Sequence, residues 1–87
     1  MIRIEYSSYF VRKFKKLDPA LQDDVIEKIE KFKDSKNHRK LKVHKLGGKL
    51  KGQWAFSINF SDRIAFHFSL DKKTAYLLDV GDHSIYG

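Results

Sequence analysis

Four histidines are the side chains best suited to acid–base chemistry in this sequence: His38, His44, His67 and His83. No two of them are separated by the four residues that would bring them onto one face of a helix, and no cluster of carboxylates accompanies them. A metal site is therefore not indicated. The motifs of nucleotide-binding loops, zinc proteases and serine hydrolases are also absent. Because a histidine exchanges protons near neutral pH, His83, which follows an apolar stretch, is the best candidate for a general acid or base.

The polar residues that could act with His83 fit one reaction, the cleavage of RNA by its own 2′-hydroxyl group. That reaction needs a base near the hydroxyl, cations on the phosphate and an acid for the leaving 5′-oxygen, and it needs no metal or other cofactor. Arg63 could bind the phosphate and His44 could supply the base, with Asp62 and Tyr86 as further candidates. Each of these residues also has an interpretation that involves no catalysis. His83 could be an exposed terminal histidine, Arg63 and Asp62 turn residues, His44 part of a solvated basic loop, and Tyr86 an aromatic plug.

The positive charge of the chain is concentrated in one segment. The net charge is +7, and residues 36–51 contain seven basic residues and no acid, which leaves 11 basic and 11 acidic residues elsewhere. Such a segment attracts phosphates or an acidic protein, although it could also be a solvated loop that maintains solubility. The candidate phosphate-binding lysines within it are Lys42, Lys45, Lys49 and Lys51.

Length and composition limit the kinds of protein that the chain can be. Its 87 residues predict one domain, residues 1–87, and 12 aromatic residues can build the core of so small a domain. Without cysteine the chain has neither disulfides nor thiolate zinc sites, which suits a reducing compartment. No apolar run has the length of a bilayer span, and the N-terminus lacks the apolar stretch of a signal peptide. We therefore expect a cytoplasmic protein that has no membrane partner.

The first half of the chain predicts a short strand and two helices. Residues 2–6 alternate apolar and charged side chains, which is a strand pattern. Ser7 or Ser8 can cap a first helix, and Asp18 with Pro19 can end that helix and begin a second. The apolar stripe of the second helix consists of Leu21, Val25, Ile29 and Phe32.

The second half predicts three strands. Residues 53–60 and 63–68 alternate around a tight turn at Ser61 and Asp62, and residues 74–80 form a third strand. The alternation puts Arg63 and His67 on the face opposite Ile64, where we interpret His67 as a structural residue. The predicted fold class is α+β, in the order β-α-α-β-β-β, with the helical hairpin on one face of an antiparallel sheet and the other face partly open.

This element order, the stretch LKGQWAFSINFSDRIAFHF and the ending LLDVGDHSIYG resemble the RelE/ParE superfamily, the toxins of bacterial type II toxin–antitoxin systems. The resemblance covers essentially the whole chain and is nearest to the mRNA interferase branch, including the YafQ and YoeB types. It implies a RelE-like microbial RNase fold, ribosome-dependent cleavage of mRNA, and a cognate antitoxin as partner. It also implies that the basic segment contacts ribosomal RNA.

The resemblance assigns roles to the candidate residues. It implies that His83 is the acid, Tyr86 the accompanying aromatic residue, Arg63 the phosphate-binding arginine and His44 the upstream histidine. Asp62 matches an acidic position of the YafQ type, although that type has tryptophan where Arg63 stands.

One departure leaves the function open. Several members of the family carry an arginine on the last strand before the glycine, where this chain has Asp79 and Val80. A ParE-like toxin that inhibits gyrase without catalysis, and a basic RNA-binding domain without activity, therefore remain alternatives.

Overall fold

Two helices and five strands make up the part of the chain that the computed structural model describes, residues 1–82 and Ile85. No helix in this part is long and apolar enough to cross a membrane. The elements in chain order are β1 (Arg3–Tyr6), α1 (Ser8–Lys15), α2 (Pro19–Phe32), β2 (His44–Lys45), β3 (Trp54–Ser57), β4 (Arg63–Phe68) and β5 (Thr74–Gly81). Short 3-10 turns lie at Ser35–Asn37 and Gly48–Leu50.

The helical hairpin begins and turns where the sequence predicts. The Ser7 hydroxyl accepts the backbone N–H of Phe10 at 2.9 Å, and a cap of this kind stabilises a helix by about 1 kcal/mol. Asp18 caps α2 in the same way, and Pro19 occupies the first turn. The Gln22 side chain donates to the carbonyl oxygen of Phe14 at 2.9 Å and so joins the two helices beside their connection.

The five strands lie in the order β1-β5-β4-β3-β2, and the sheet is mixed, not antiparallel throughout. β1 runs parallel to the first half of β5, with Arg3 opposite Thr74. His44 and Lys45, which belong to the basic segment, form the short strand β2, which the sequence did not predict. The alternation within a strand sets its faces but not its distant partner, so the sequence did not specify the parallel pair. Where β1 ends, Ser7 donates its backbone N–H to the Leu77 carbonyl, and α1 follows.

The core lies between the helices and one face of the sheet. Phe32 of α2 stacks on Phe56 of β3 with 4.4 Å between ring centroids, and burying such a ring stabilises the fold by about 2–3 kcal/mol. A bulge at Leu78 shifts the alternation of β5, so that Leu77 and Val80 both face the helices. The other buried side chains of this core include Phe10, Val25, Ile29, Ile64 and Phe66.

The turn between β3 and β4 is longer than the sequence predicts. β3 ends at Ser57, and the Asn59 side chain accepts the backbone N–H groups of Ser61 and Asp62 at 2.9 and 2.8 Å. Asparagine favours such a turn because its side chain bonds to backbone two residues ahead. Phe60, which the alternation placed within the strand, is consequently at the tip of the turn and fully exposed.

Candidate active site

Arg63 begins β4, the middle strand of the sheet, on the face that the helices leave uncovered. As the first residue of β4 it is opposite Ser57 of β3 and Gly81 of β5. Its Nη1 donates to the Ser57 hydroxyl at 3.2 Å, which orients the half-buried guanidinium group. Because the next residue, Ile64, is buried in the core, the alternation directs Arg63 to the opposite face, as predicted.

A groove of about 550 Å³ separates Arg63 and the β3–β4 turn from the loop at residues 40–42. Among the described residues that line it are Lys28, Lys40, Lys42 and Arg63, and none of the described lining residues is acidic. Lys28 is already paired with Glu27 at 2.9 Å, so Lys40 and Lys42 add most to the positive charge beside Arg63. We call this cavity the Arg63 groove, and its charge suits a phosphate group.

His44 shares the sheet face of Arg63 but lies two strands away. It is opposite Ala55 on β2, and strand geometry puts its Cα on the order of 12 Å from that of Arg63. Its Nδ1 is 2.7 Å from the carbonyl oxygen of Lys42. A carbonyl oxygen only accepts hydrogen bonds, so in the neutral ring Nδ1 carries the proton and Nε2 can act as a base.

The other residues that the sequence analysis proposed for the site lie in different parts of the structure. Asp62 belongs to the β3–β4 turn, where its carbonyl oxygen accepts the backbone N–H of Ile58 at 2.9 Å. Lys42 lines the Arg63 groove, whereas Lys45 lies on the other face of the sheet with its Nζ 5.4 Å from the centre of the Trp54 ring. Lys51 lies near Trp54, and Lys49 is exposed in the turn at Gly48–Leu50. The basic segment is thus not one continuous patch.

His83 and Tyr86 fall outside the described residues. The chain that leads to them is described as far as Asp82, and the register puts Gly81 directly opposite Arg63.

Near the end of β5, Asp79 occupies the region where the resemblance expects an arginine, and its carboxylate is 2.6 Å from the Lys13 ammonium. Charge at this point is therefore neutralised.

Sequence reasoning missed three residues of the groove, Ser57, Lys40 and Phe60. Ser57 was detectable, since pairing the two predicted strands across their turn puts it next to Arg63. Lys40 stood in the basic segment without a signal to separate it from its neighbours. Within residues 1–82 and Ile85, no three side chains of the metal-ligating types converge.

No protein-family model and no curated protein sequence matches the chain. Solved structures do. The toxin–antitoxin complex RelBE2 from Mycobacterium tuberculosis contains a chain with a TM-score of 0.74 at 17% identity, covering 94% of this chain and 98% of that one. The archaeal RelE–RelB complex from Pyrococcus horikoshii gives 0.72 at 15% identity and 93% of both chains. The YoeB/ParE toxin from Agrobacterium tumefaciens gives 0.67 at 13% identity, with 94% and 99% covered.

These likenesses extend over nearly the whole length of each chain, and they include the helical hairpin and the mixed sheet. The resemblance found in the sequence is therefore confirmed at the level of architecture: the chain has the fold of RelE, YoeB and the related toxins of the RelE/ParE superfamily.

Proposed function

We propose that this protein is the toxin of a type II toxin–antitoxin system and that it cleaves mRNA on the ribosome. The observation that carries the proposal is the position of Arg63. It is held by Ser57 on the open sheet face, where it lines a basic groove. It lies opposite Gly81, the strand residue that precedes Asp82 and His83 in the chain. A gyrase inhibitor or a passive binding domain would have no need of Arg63 and His44 on one open sheet face.

The proposed reaction uses the RNA's own hydroxyl group. His44 removes the proton of the 2′-hydroxyl through Nε2, and the 2′-oxygen attacks the neighbouring phosphorus. The bond from phosphorus to the 5′-oxygen breaks as His83 donates a proton to that oxygen. The products are a 2′,3′-cyclic phosphate and a 5′-hydroxyl group. Arg63, with Lys42, stabilises the negative charge that builds on the phosphate oxygens.

The ribosome and an antitoxin complete the proposal. Because β3 lies between the strands of His44 and Arg63, whose Cα atoms are on the order of 12 Å apart, the ribosome would supply much of the orientation of the mRNA. Such orientation can contribute several kcal/mol to a reaction. The solved structures with this fold include toxin–antitoxin complexes, which supports an antitoxin as the partner that silences this chain.

Cleavage mapping on translating ribosomes tests the proposal. Arg63→Gln removes the charge on the phosphate and should lower the cleavage rate by about 10²-fold or more. Arg12→Gln, a matched change on the exposed face of α1, should leave the rate unchanged. Growth arrest with intact mRNA and an induced DNA-damage response would instead make the protein a gyrase inhibitor.

A further inference from the structure

A second basic surface surrounds Trp54, on the face of the sheet opposite Arg63. Two cavities of about 620 and 440 Å³ meet there and share Trp54, Phe68 and Lys72 as lining residues. Trp54 is half-buried and packs edge-to-face on Phe68 with 5.1 Å between the ring centroids. We call the joined cavities the Trp54 channel. It has an aromatic floor and lies outside the Arg63 groove.

Lysines converge on this floor from both sides. The ammonium groups of Lys45 and Lys72 each lie 5.4 Å from the centre of the Trp54 ring, so they are no more than about 11 Å apart. The channel is also lined by Lys33, Lys36, Lys51 and Lys73, and Asp34 is the single acid among its described lining residues. The local charge is strongly positive.

Little within the described chain neutralises that charge. Lys33 is paired with Glu30, and this contact raises the pKa of Lys33 above its ordinary value. No carboxylate in residues 1–82 lies within salt-bridge distance of Lys45 or Lys72. Like charges held together repel, and an anion lying between them would relieve the repulsion.

The turn that carries Lys72 holds it in a disfavoured conformation. Lys72 has a φ of 59°, in the left-handed region that suits glycine or asparagine better than lysine. Asp71 fixes the turn by accepting the Ser69 hydroxyl at 2.7 Å and the backbone N–H of Lys73 at 2.9 Å. What lysine adds at this position is an ammonium group over Trp54.

We propose that the Trp54 channel binds single-stranded RNA as a second, non-catalytic site. Lysines would contact successive phosphates while a base packs against Trp54 and Phe68, the combination that proteins use to bind single strands without sequence preference. An acidic peptide would engage the lysines but not the aromatic floor. The proposal goes beyond cleavage, since it requires neither His44 nor Arg63.

Trp54 is the only tryptophan in the chain, so its fluorescence reports on this channel alone. Titration of the intact protein with 2′-O-methyl oligouridine, which cannot be cleaved by 2′-hydroxyl attack, should quench the fluorescence in a saturable, salt-dependent way. Lys45→Gln with Lys72→Gln should weaken binding and reduce the slope of log K against log salt by about 1.4. Lys15→Gln with Lys16→Gln removes the same charge from exposed positions outside the channel and should change little.

A separate variant removes the risk that the double change alters the fold. Lys72→Asn should weaken binding while thermal stability stays equal or rises, because asparagine tolerates the left-handed conformation. Equal weakening in both double variants would overturn the proposal in favour of a net-charge effect. Quenching by polyglutamate but not by RNA would overturn it in favour of a protein-docking surface. If Arg63→Gln abolishes mRNA cleavage but not quenching, the two sites are separate, whereas loss of both would contradict the second site.

Discussion

His83 is the residue on which the proposed proton transfer to the leaving oxygen depends. His83→Gln keeps a polar side chain of similar size but cannot donate a proton with a pKa near neutrality. General acid catalysis contributes about 10²- to 10⁴-fold, so we expect mRNA cleavage on ribosomes to fall by that factor in a protein with unchanged thermal stability.

His67 supplies the matched control for this prediction. Its ring stacks on Tyr76 with 4.9 Å between centroids, on the same sheet face as Arg63. His67→Gln should therefore change cleavage little, because its contacts are those of a structural residue. If His83→Gln retained full cleavage and toxicity, the C-terminal residues would have only a structural role. The alternative of a toxin that binds gyrase without catalysis would then be the better one.

Asp79 shows how a single residue changes the charge of the site. Where the resemblance expects an arginine, the Asp79 carboxylate pairs with Lys13 of α1. The last strand therefore adds no net positive charge at this point. In the proposed reaction the cations come from Arg63 and from the loop that carries Lys40 and Lys42.

At the scale of elements, the Asp71 carboxylate holds the β4–β5 turn by two hydrogen bonds. The Ser69 hydroxyl, followed by the backbone N–H of Lys73, holds the pKa of Asp71 below its ordinary value of 3.8. A group whose pKa is lower in the folded state stabilises the fold fully above its unfolded pKa. That contribution is lost as the pH falls through the folded pKa.

This difference predicts the pH dependence of stability. The melting temperature of the protein minus that of Asp71→Asn should be positive near neutral pH and should shrink as the pH falls below about 3.8, because the variant cannot titrate there. Asp24→Asn, at an exposed position of α2, is the control and should give a smaller change. A difference that stayed constant down to pH 2 would mean that the turn does not depend on the ionised form.

Local patterns predicted most of the elements. The caps at Ser7 and Asp18 and the inward and outward residues of β4 followed from spacing and alternation, because these depend on neighbours in the chain. The parallel pairing of β1 with β5 did not, since it joins residues about 70 positions apart. The predicted end of β3 was also wrong. The Asn59 side chain accepts the backbone N–H of Asp62, and so the turn begins before the alternation of apolar and polar residues ends.

The candidate site was predictable to the same extent. Arg63 and His44 lie on one sheet face, and alternation had already put Arg63 on the face away from the core. The lysines of residues 36–51 were predicted to form one patch, because the sequence of an irregular segment does not show to which side each side chain points. In the structure Lys40 and Lys42 line the Arg63 groove, whereas Lys36, Lys45 and Lys51 line the Trp54 channel.

At the scale of the whole molecule, three surfaces are candidates for binding the antitoxin that we propose as a partner. The Arg63 groove and the Trp54 channel are basic. A third surface, a groove of about 300 Å³ between α1 and α2, is apolar and is lined by Tyr6, Phe10, Phe14 and Ile26 among others. Ile26 is 53% exposed, so burying it would stabilise a complex without any ion pair.

Ion pairs and apolar burial respond differently to salt, which separates these surfaces. If an acidic antitoxin covers the basic surfaces, the affinity of the complex should fall as salt rises from about 50 to about 500 mM, because screening weakens exposed ion pairs. Lys40→Gln with Lys42→Gln should reduce the salt dependence measured by titration calorimetry, since both lysines line the Arg63 groove. Ile26→Ser should weaken the complex equally at all salt concentrations if the helical groove contributes. A complex whose affinity did not vary with salt would contradict the prediction, and the apolar groove would then be the main antitoxin site.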